Sequence, residues 1–180
     1  MMDYQPLALP DVVLLTPACH QDERGDFFEL WRHAEFARHC GEQTFVQQNV
    51  SRSRRGVLRG LHYQVTQPQG KLIHVLAGRI YDVAVDLRPA SPTLGRWVGQ
   101  WLCADQPTSL WVPPGFAHGF YVTSASATVL YQCTAYYHPE YERAIHWADP
   151  GLAIAWPLLE NEPLLLSDKD RQAPFFTFPS

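Results

Sequence analysis

What most constrains this chain is its punctuation. Short runs rich in Val, Ile, Leu and aromatic residues are broken by proline, glycine or an Asp/Asn residue roughly every ten positions, the spacing of strands and turns. Asp11-Val-Val-Leu-Leu-Thr16 stops at Pro17, and Ile80 to Leu87 alternates with period two. Phe45 to Ser51, Trp97 to Leu102, Leu110 to Val112 and Thr128 to Tyr137 read as further strands, and Ala144 to Trp147 and Ile154 to Trp156 as short extended pieces. The 15 prolines and 11 glycines are spread along the chain and form no linker. One segment, His33 to Cys40, carries Phe36 and Ala37 as apolar anchors and is stopped by Gly41, which predicts a short helix. No repeat of roughly 20–50 residues is present. The reading is an all-β chain, a double-sheet jelly roll or small barrel with one or two short helices, spanning 1–180 as a single domain. Such a barrel encloses one small ligand between its sheets.

Composition narrows the function. Eighteen acidic against 14 basic residues, interspersed, offer no basic face for nucleic acid. No stretch approaches 18 consecutive apolar residues, and the first residues lack a basic segment followed by an apolar run, so neither a membrane span nor an export signal is expected. Cys19, Cys40, Cys103 and Cys133 lie far apart with no C-x-x-C pair and read as reduced thiols of a cytoplasmic protein.

Four constellations carry chemistry. The first is Arg59-Gly60-Leu61-His62-Tyr63-Gln64 followed by Gln69-Gly70-Lys71-Leu72, with glycines where a strand would bend or turn. His62 suits proton abstraction near neutral pH, and Lys71 beside it would neutralise a developing oxyanion. In isolation such a pair is more often a structural histidine and a surface lysine. The second, Pro113-x-Gly-x-x-His118, matches the second metal-binding motif of cupins. The first-motif ligands are missing, so His118 is read as a non-metal polar group. The third is Tyr131, Tyr136 and Tyr137, whose commoner fate is core packing; Tyr131 and Tyr137 share strand parity and so one face. The fourth is Ser167-Asp168-Lys169-Asp170, a charged surface turn unless a carboxylate folds back to orient His62. The amides Gln47, Gln48 and Asn49 suggest hydrogen bonding to a polar ligand, although taken alone they read first as an ordinary solvated face.

Together these segments resemble the dTDP-4-dehydrorhamnose 3,5-epimerase family. The resemblance rests on Asp22-Glu-Arg-Gly25 with Phe28-Glu29, Phe45-Val46-Gln47-x-Asn49, Val57-Leu-Arg-Gly-Leu-His-Tyr-Gln64 and Gln69-Gly-Lys-Leu72. It continues through Asp82-Val-Ala-Val-Asp-Leu-Arg88, Ser91-Pro-Thr93, Pro113-x-Gly-Phe-Ala-His-Gly-Phe120, Leu130-Tyr131, Tyr137 and Leu166-Ser-x-Lys-Asp170. Taken in order, the motifs run from about Asp11 to Pro174, and it is their number and order that make the match specific.

The resemblance implies a cupin-type jelly roll working without metal or organic cofactor, usually as a homodimer. Its substrate would be dTDP-4-dehydro-6-deoxy-D-glucose, inverted at C3 and C5. His62 would be the base, Asp170 its orienting partner, Lys71 the stabiliser of the enolate oxygen and Tyr131 the acid on the far face. Arg24, Arg59 and Lys169 would meet the nucleotide or sugar, arginine being suited to bidentate phosphate binding. Glu29, Gln47, Gln48, Asn49, His118, Tyr137 and Glu142 match site-lining positions. Arg24 and Glu29 would reach across the dimer through an exchanged amino-terminal strand. The chain departs from the family's pattern at Gln48, Val50, His74, Arg79, Asp26 and the Cys19-His20 pair. Single-centre epimerases, acting on C3 or C5 alone, and non-catalytic sugar-nucleotide binders are the alternatives that share this fold.

Overall fold

Alternating apolar runs become strands because only a sheet places every second side chain on one face. In a computed structural model, which describes residues 2–177, they form thirteen strands and two short helices. In chain order these are β1 (Asp3–Pro6), β2 (Val13–Thr16), β3 (Cys19–Asp22), β4 (Gly25–Phe28) and helix α1 (His33–Cys40). Next come β5 (Gln47–Arg54), β6 (Leu58–Gln64), β7 (Lys71–Ala77), β8 (Arg79–Asp86) and β9 (Trp97–Cys103). The series ends with β10 (Ser109–Val112), β11 (Phe116–Val122), β12 (Ser126–Cys133), β13 (Glu142–Ala144) and helix α2 (Asp168–Arg171).

One antiparallel sheet has the order β1-β2-β10-β7-β12-β5 and the other β13-β6-β11-β8-β9; β3 and β4 form a separate exposed hairpin. The two sheets pack face to face as a cupin-type jelly roll. Between them lies a core of Ile73, Val75, Ile80, Ala84, Leu110, Phe120 and Val129. Both outer faces are also covered in part. Helix α1 drives Phe36 onto Leu72, Trp111 and Leu15, with Phe36 edge-on to Trp111 at 5.1 Å. The chain after β13 lays Ile145 and Leu152 over Leu61, Val83 and Val85. Burial on both faces explains why β8 and β11 are almost continuously apolar.

The helix over His33–Cys40 forms as the spacing predicts, and Gly41 ends it at φ +83° with its N–H bonded to the Ala37 carbonyl. Two extended readings are corrected. β12 stops at Cys133 short of Tyr137, because Gly70 N–H bonds the Thr134 hydroxyl and Gln69 bonds the Ala135 carbonyl, turning the chain away from the ladder. Ile154–Trp156 joins no sheet; its Trp156 indole N–H is held by the Trp147 carbonyl at 2.9 Å. The Asp-Leu-Arg…Ser-Pro-Thr motif is a turn clamp. Fully buried Asp86 accepts hydrogen bonds from Arg88 (2.9 and 2.8 Å), Ser91 (2.5 Å) and Thr93 (2.6 Å). Burial opposes its charge, but these bonds outweigh burial and hold the carboxyl well below the usual range.

Candidate active site

His62 stands on β6, whose geometry depends on two glycines. At Gly60 (φ +118°) a Cβ would sit 2.6 Å from the Gly119 Cα and 2.7 Å from the His118 carbonyl oxygen. This close approach lets β6 and β11 shift register between His118↔His62 and Phe120↔Arg59, a bulge that turns His62 into the barrel. Leu61 and Tyr63 turn outward onto the covering segment.

Asp170 comes to His62 from 108 residues away. A parallel bridge, Val57↔Leu165, and the Leu58 N–H bond to the Leu165 carbonyl lay the closing segment beside β6. Ser167 caps α2, accepting the Asp170 N–H at 3.1 Å. Asp170 Oδ1 then lies 2.5 Å from His62 Nε2. Burial opposes ionisation of Asp170, but the bonds from His62, Ser167 and the Gly60 N–H outweigh it and hold its carboxyl below the ordinary value. A charged carboxylate accepts, so the hydrogen of His62 sits on Nε2 and Nδ1 presents a free lone pair.

Facing His62 from the other sheet are the inward residues of β5, β7 and β12. A cavity of ≈240 Å³ is lined by Gln47, Asn49, His62, Gln69, Lys71, Tyr131, Tyr137 and Glu142. A small adjoining recess shares five of these and adds Tyr63, Gln64 and Phe116. Tyr131 pairs with Asn49 and Ile73 across the sheet, and Lys71 with Cys133 and Val112. Desolvation lowers the pKa of Lys71 and raises that of Tyr131. The amides are tied in place: Gln47 Nε2 donates to Asn49 (3.1 Å), Gln47 Oε1 accepts the Tyr137 N–H (2.8 Å), and Asn49 reaches Cys133 Sγ at 3.8 Å. Glu142 accepts the Tyr137 hydroxyl at 2.7 Å and is ion-paired with Lys169. Burial opposes the charge of Glu142, but these two partners hold its carboxyl below the usual range, while its bond pushes Tyr137 up to about 12.

The cavity thus gathers His62, Lys71, Tyr131, Tyr137, Glu142, Gln47 and Asn49, with Asp170 and Lys169 attached through their ion pairs. Arg59, bonded to Ser53 at 3.0 Å, stands near enough to act on the Tyr131 charge. Four expected residues lie elsewhere. Gln48 is exposed on the outer face of β5, since neighbours in a strand point to opposite sides. His118 faces inward but beneath the cavity, its Nε2 held by both Asp82 oxygens at 2.8 and 2.9 Å. Arg24 sits in the hairpin turn, paired with Asp22, and Glu29 pairs with Arg32. Glu29 lines a concavity of ≈520 Å³ between β1, the hairpin base and α1, larger than the one at His62. Among the described residues its lining holds no aspartate, and the His62–Asp170 pair rather than size marks the candidate site. Gln69, Gln64, Cys133 and Asp82 escaped the sequence reading. Asp82 had a visible signal, an acidic residue inside an otherwise apolar alternation.

The sequence profile of the dTDP-4-dehydrorhamnose 3,5-epimerase family matches residues 6–177. A dTDP-4-dehydrorhamnose 3,5-epimerase of Pseudomonas aeruginosa is 53% identical over 171 residues, 94% of this chain and 93% of the relative. One of Salmonella typhimurium is 46% identical over 176 residues, 97% and 95% of the two chains. Among solved structures, the dTDP-6-deoxy-D-glucose-3,5-epimerase of Legionella pneumophila in complex with dTDP-4-keto-L-rhamnose superposes with a TM-score of 0.94 at 49% identity, covering 97% of this chain and 93% of that one. Profile, relatives and fold agree over nearly the whole length, and the chain belongs to the dTDP-4-dehydrorhamnose 3,5-epimerase family.

Proposed function

We infer that this chain is an isomerase that converts dTDP-4-dehydro-6-deoxy-D-glucose to dTDP-4-dehydro-L-rhamnose by inverting C3 and C5. The single observation that carries the mechanism is that His62, backed by Asp170, and Tyr131 line one cavity from opposite sheets, and Lys71 lines it with them. The C4 ketone acidifies the hydrogens on both neighbouring carbons. His62 Nδ1 takes one of them, the C–H electron pair moves toward the ketone, and the enolate oxygen meets the Lys71 ammonium. Tyr131 delivers a proton to the other face, which inverts the centre. His62 then loses its proton to solvent and Tyr131 regains one, so the same groups serve the second carbon.

Asp170 keeps His62 in the reactive tautomer. Gln47, Asn49, Arg59, Tyr137, Glu142 and Lys169 are the proposed substrate contacts from this chain. Arg24 and Glu29 stand away from their own cavity, which supports their service to the cavity of a second copy in a homodimer. Residues 1–180 then work as one catalytic domain. Among the described residues no helix is long and apolar enough to cross a membrane. The four cysteines are unpaired, which supports a reducing, cytoplasmic setting.

The test is proton NMR of dTDP-4-dehydro-6-deoxy-D-glucose in deuterated water. Deuterium entering at C3 and C5 with formation of the L-sugar is the expected result. Exchange at one carbon only would make this a single-centre epimerase, and none at either would overturn the reading.

A further inference from the structure

Beneath the cavity lies a second acid–histidine pair that the scheme above does not use. Asp82 and His118 sit on neighbouring strands β8 and β11, at 0% and 8% exposure. His118 is the cross-strand partner of His62. Its Nε2 is shared between both carboxylate oxygens at 2.8 and 2.9 Å. Asp82 follows the parity of Ile80 and Ala84 and so points into the barrel from the five-stranded sheet; Lys71 follows Ile73 and points inward from the other. A carboxylate with no solvent exposure is stabilised by an opposite charge facing it. Lys71, pointing inward from the opposite sheet, is a cation placed to supply one.

We propose that Asp82, clamped by His118, is the buried counter-ion of Lys71, so that both are positioning residues that keep an ammonium at the cavity floor. The proposal rests on the epimerase reading, in which Lys71 holds the enolate oxygen. Other groups face the same amine: Cys133 and Tyr131 from β12, Glu142 from β13, His62 from β6 and Lys169 from α2. Of these, Cys133 is a buried thiol whose pKa is raised by burial, and Lys169 opposes the ammonium. Glu142 favours it but is already shared with Lys169 and Tyr137. Asp82, held by His118 and facing inward with Lys71, is a buried carboxylate whose charge works against the desolvation that pulls Lys71 down.

The experiment is the pH dependence of solvent-deuterium entry into the substrate, the step that needs His62 and Lys71 before any reprotonation. Activity of this step is lost as pH rises through the Lys71 value, because the free amine no longer stabilises an enolate. Removing the Asp82 charge lowers that value further. Asp82→Asn is therefore expected to move the basic limb down by on the order of one pH unit, with KM within about twofold of wild type. His118→Gln, which keeps an N–H donor, should leave the limb in place, and His118→Leu should shift it as Asp82→Asn does. In a Lys71→Met background Asp82→Asn should have no further effect. An unmoved limb in Asp82→Asn, or equal behaviour of His118→Gln and His118→Leu, overturns the proposal. If Asp82→Asn does not fold, the two His118 variants decide it. Wild type that exchanges at neither carbon would instead sink the epimerase reading itself.

Discussion

A histidine whose Nε2 is claimed by a buried carboxylate has one nitrogen left for chemistry, and His62 lines the cavity. In the proposed mechanism the 2.5 Å contact with Asp170 would do two things: select the tautomer and stabilise the imidazolium formed on proton abstraction. Asp170→Asn keeps the shape but offers an amide N–H that favours the wrong tautomer. We expect kcat to fall by about 10³–10⁴-fold, with dTDP affinity, read by calorimetry, changed less than about threefold. Loss of affinity in parallel with kcat would make Asp170 a binding residue instead. The same pair was only half legible in the amino-acid order. His62 announced itself between glycines and charges, but nothing in the spacing required Asp170 to reach it, since the contact is made by a segment docking beside β6.

At the scale of the element, β7 shows how one strand serves two masters. Lys71 and Ile73 face the barrel, while Leu72 and His74 face the layer beneath α1. His74 is buried, with Nδ1 2.5 Å from the Ser109 hydroxyl, and desolvation lowers its pKa to about 4. The unfolded chain takes up a proton near pH 6.5 and the folded one only near 4, so stability falls as pH drops between those values. The loss amounts to about 3 kcal/mol at most. Chemical denaturation of wild type and His74→Gln at pH 7 and pH 4.5 should show the wild type losing more stability on acidification; equal losses would place the proton elsewhere. Strands buried on both faces, such as β8, were readable because burial leaves their runs almost continuously apolar. β1, Asp-Tyr-Gln-Pro, was not, since an exposed edge strand carries no apolar period. The run Gln47-Gln48-Asn49 misled for the converse reason: three amides in a row look like one ligand surface, yet the pleat sends the middle one to the opposite side.

For the whole molecule, the placement of Arg24 and Glu29 outside their own cavity gives a sharp test of the proposed dimer. Subunits carrying His62→Ala and subunits carrying Arg24→Ala should each be nearly inactive. Refolded together they should regain about a quarter of wild-type activity, because half of the dimers then carry one site with both groups intact. No recovery would mean that Arg24 acts within its own chain, and full activity of the Arg24→Ala subunits alone would mean that it does not act at all. Residue order within one chain could not resolve this, since a contact of that kind would be made between molecules. The docking of α2 has a further consequence, for the order of events during synthesis. His62 leaves the ribosome more than a hundred residues before the carboxylate that orients it. A barrel still awaiting α2 holds its sugar-facing wall but lacks the partner that sets the histidine's tautomer. In the proposed mechanism, a copy made only as far as the barrel would thereby be kept from turning over a reactive keto-sugar.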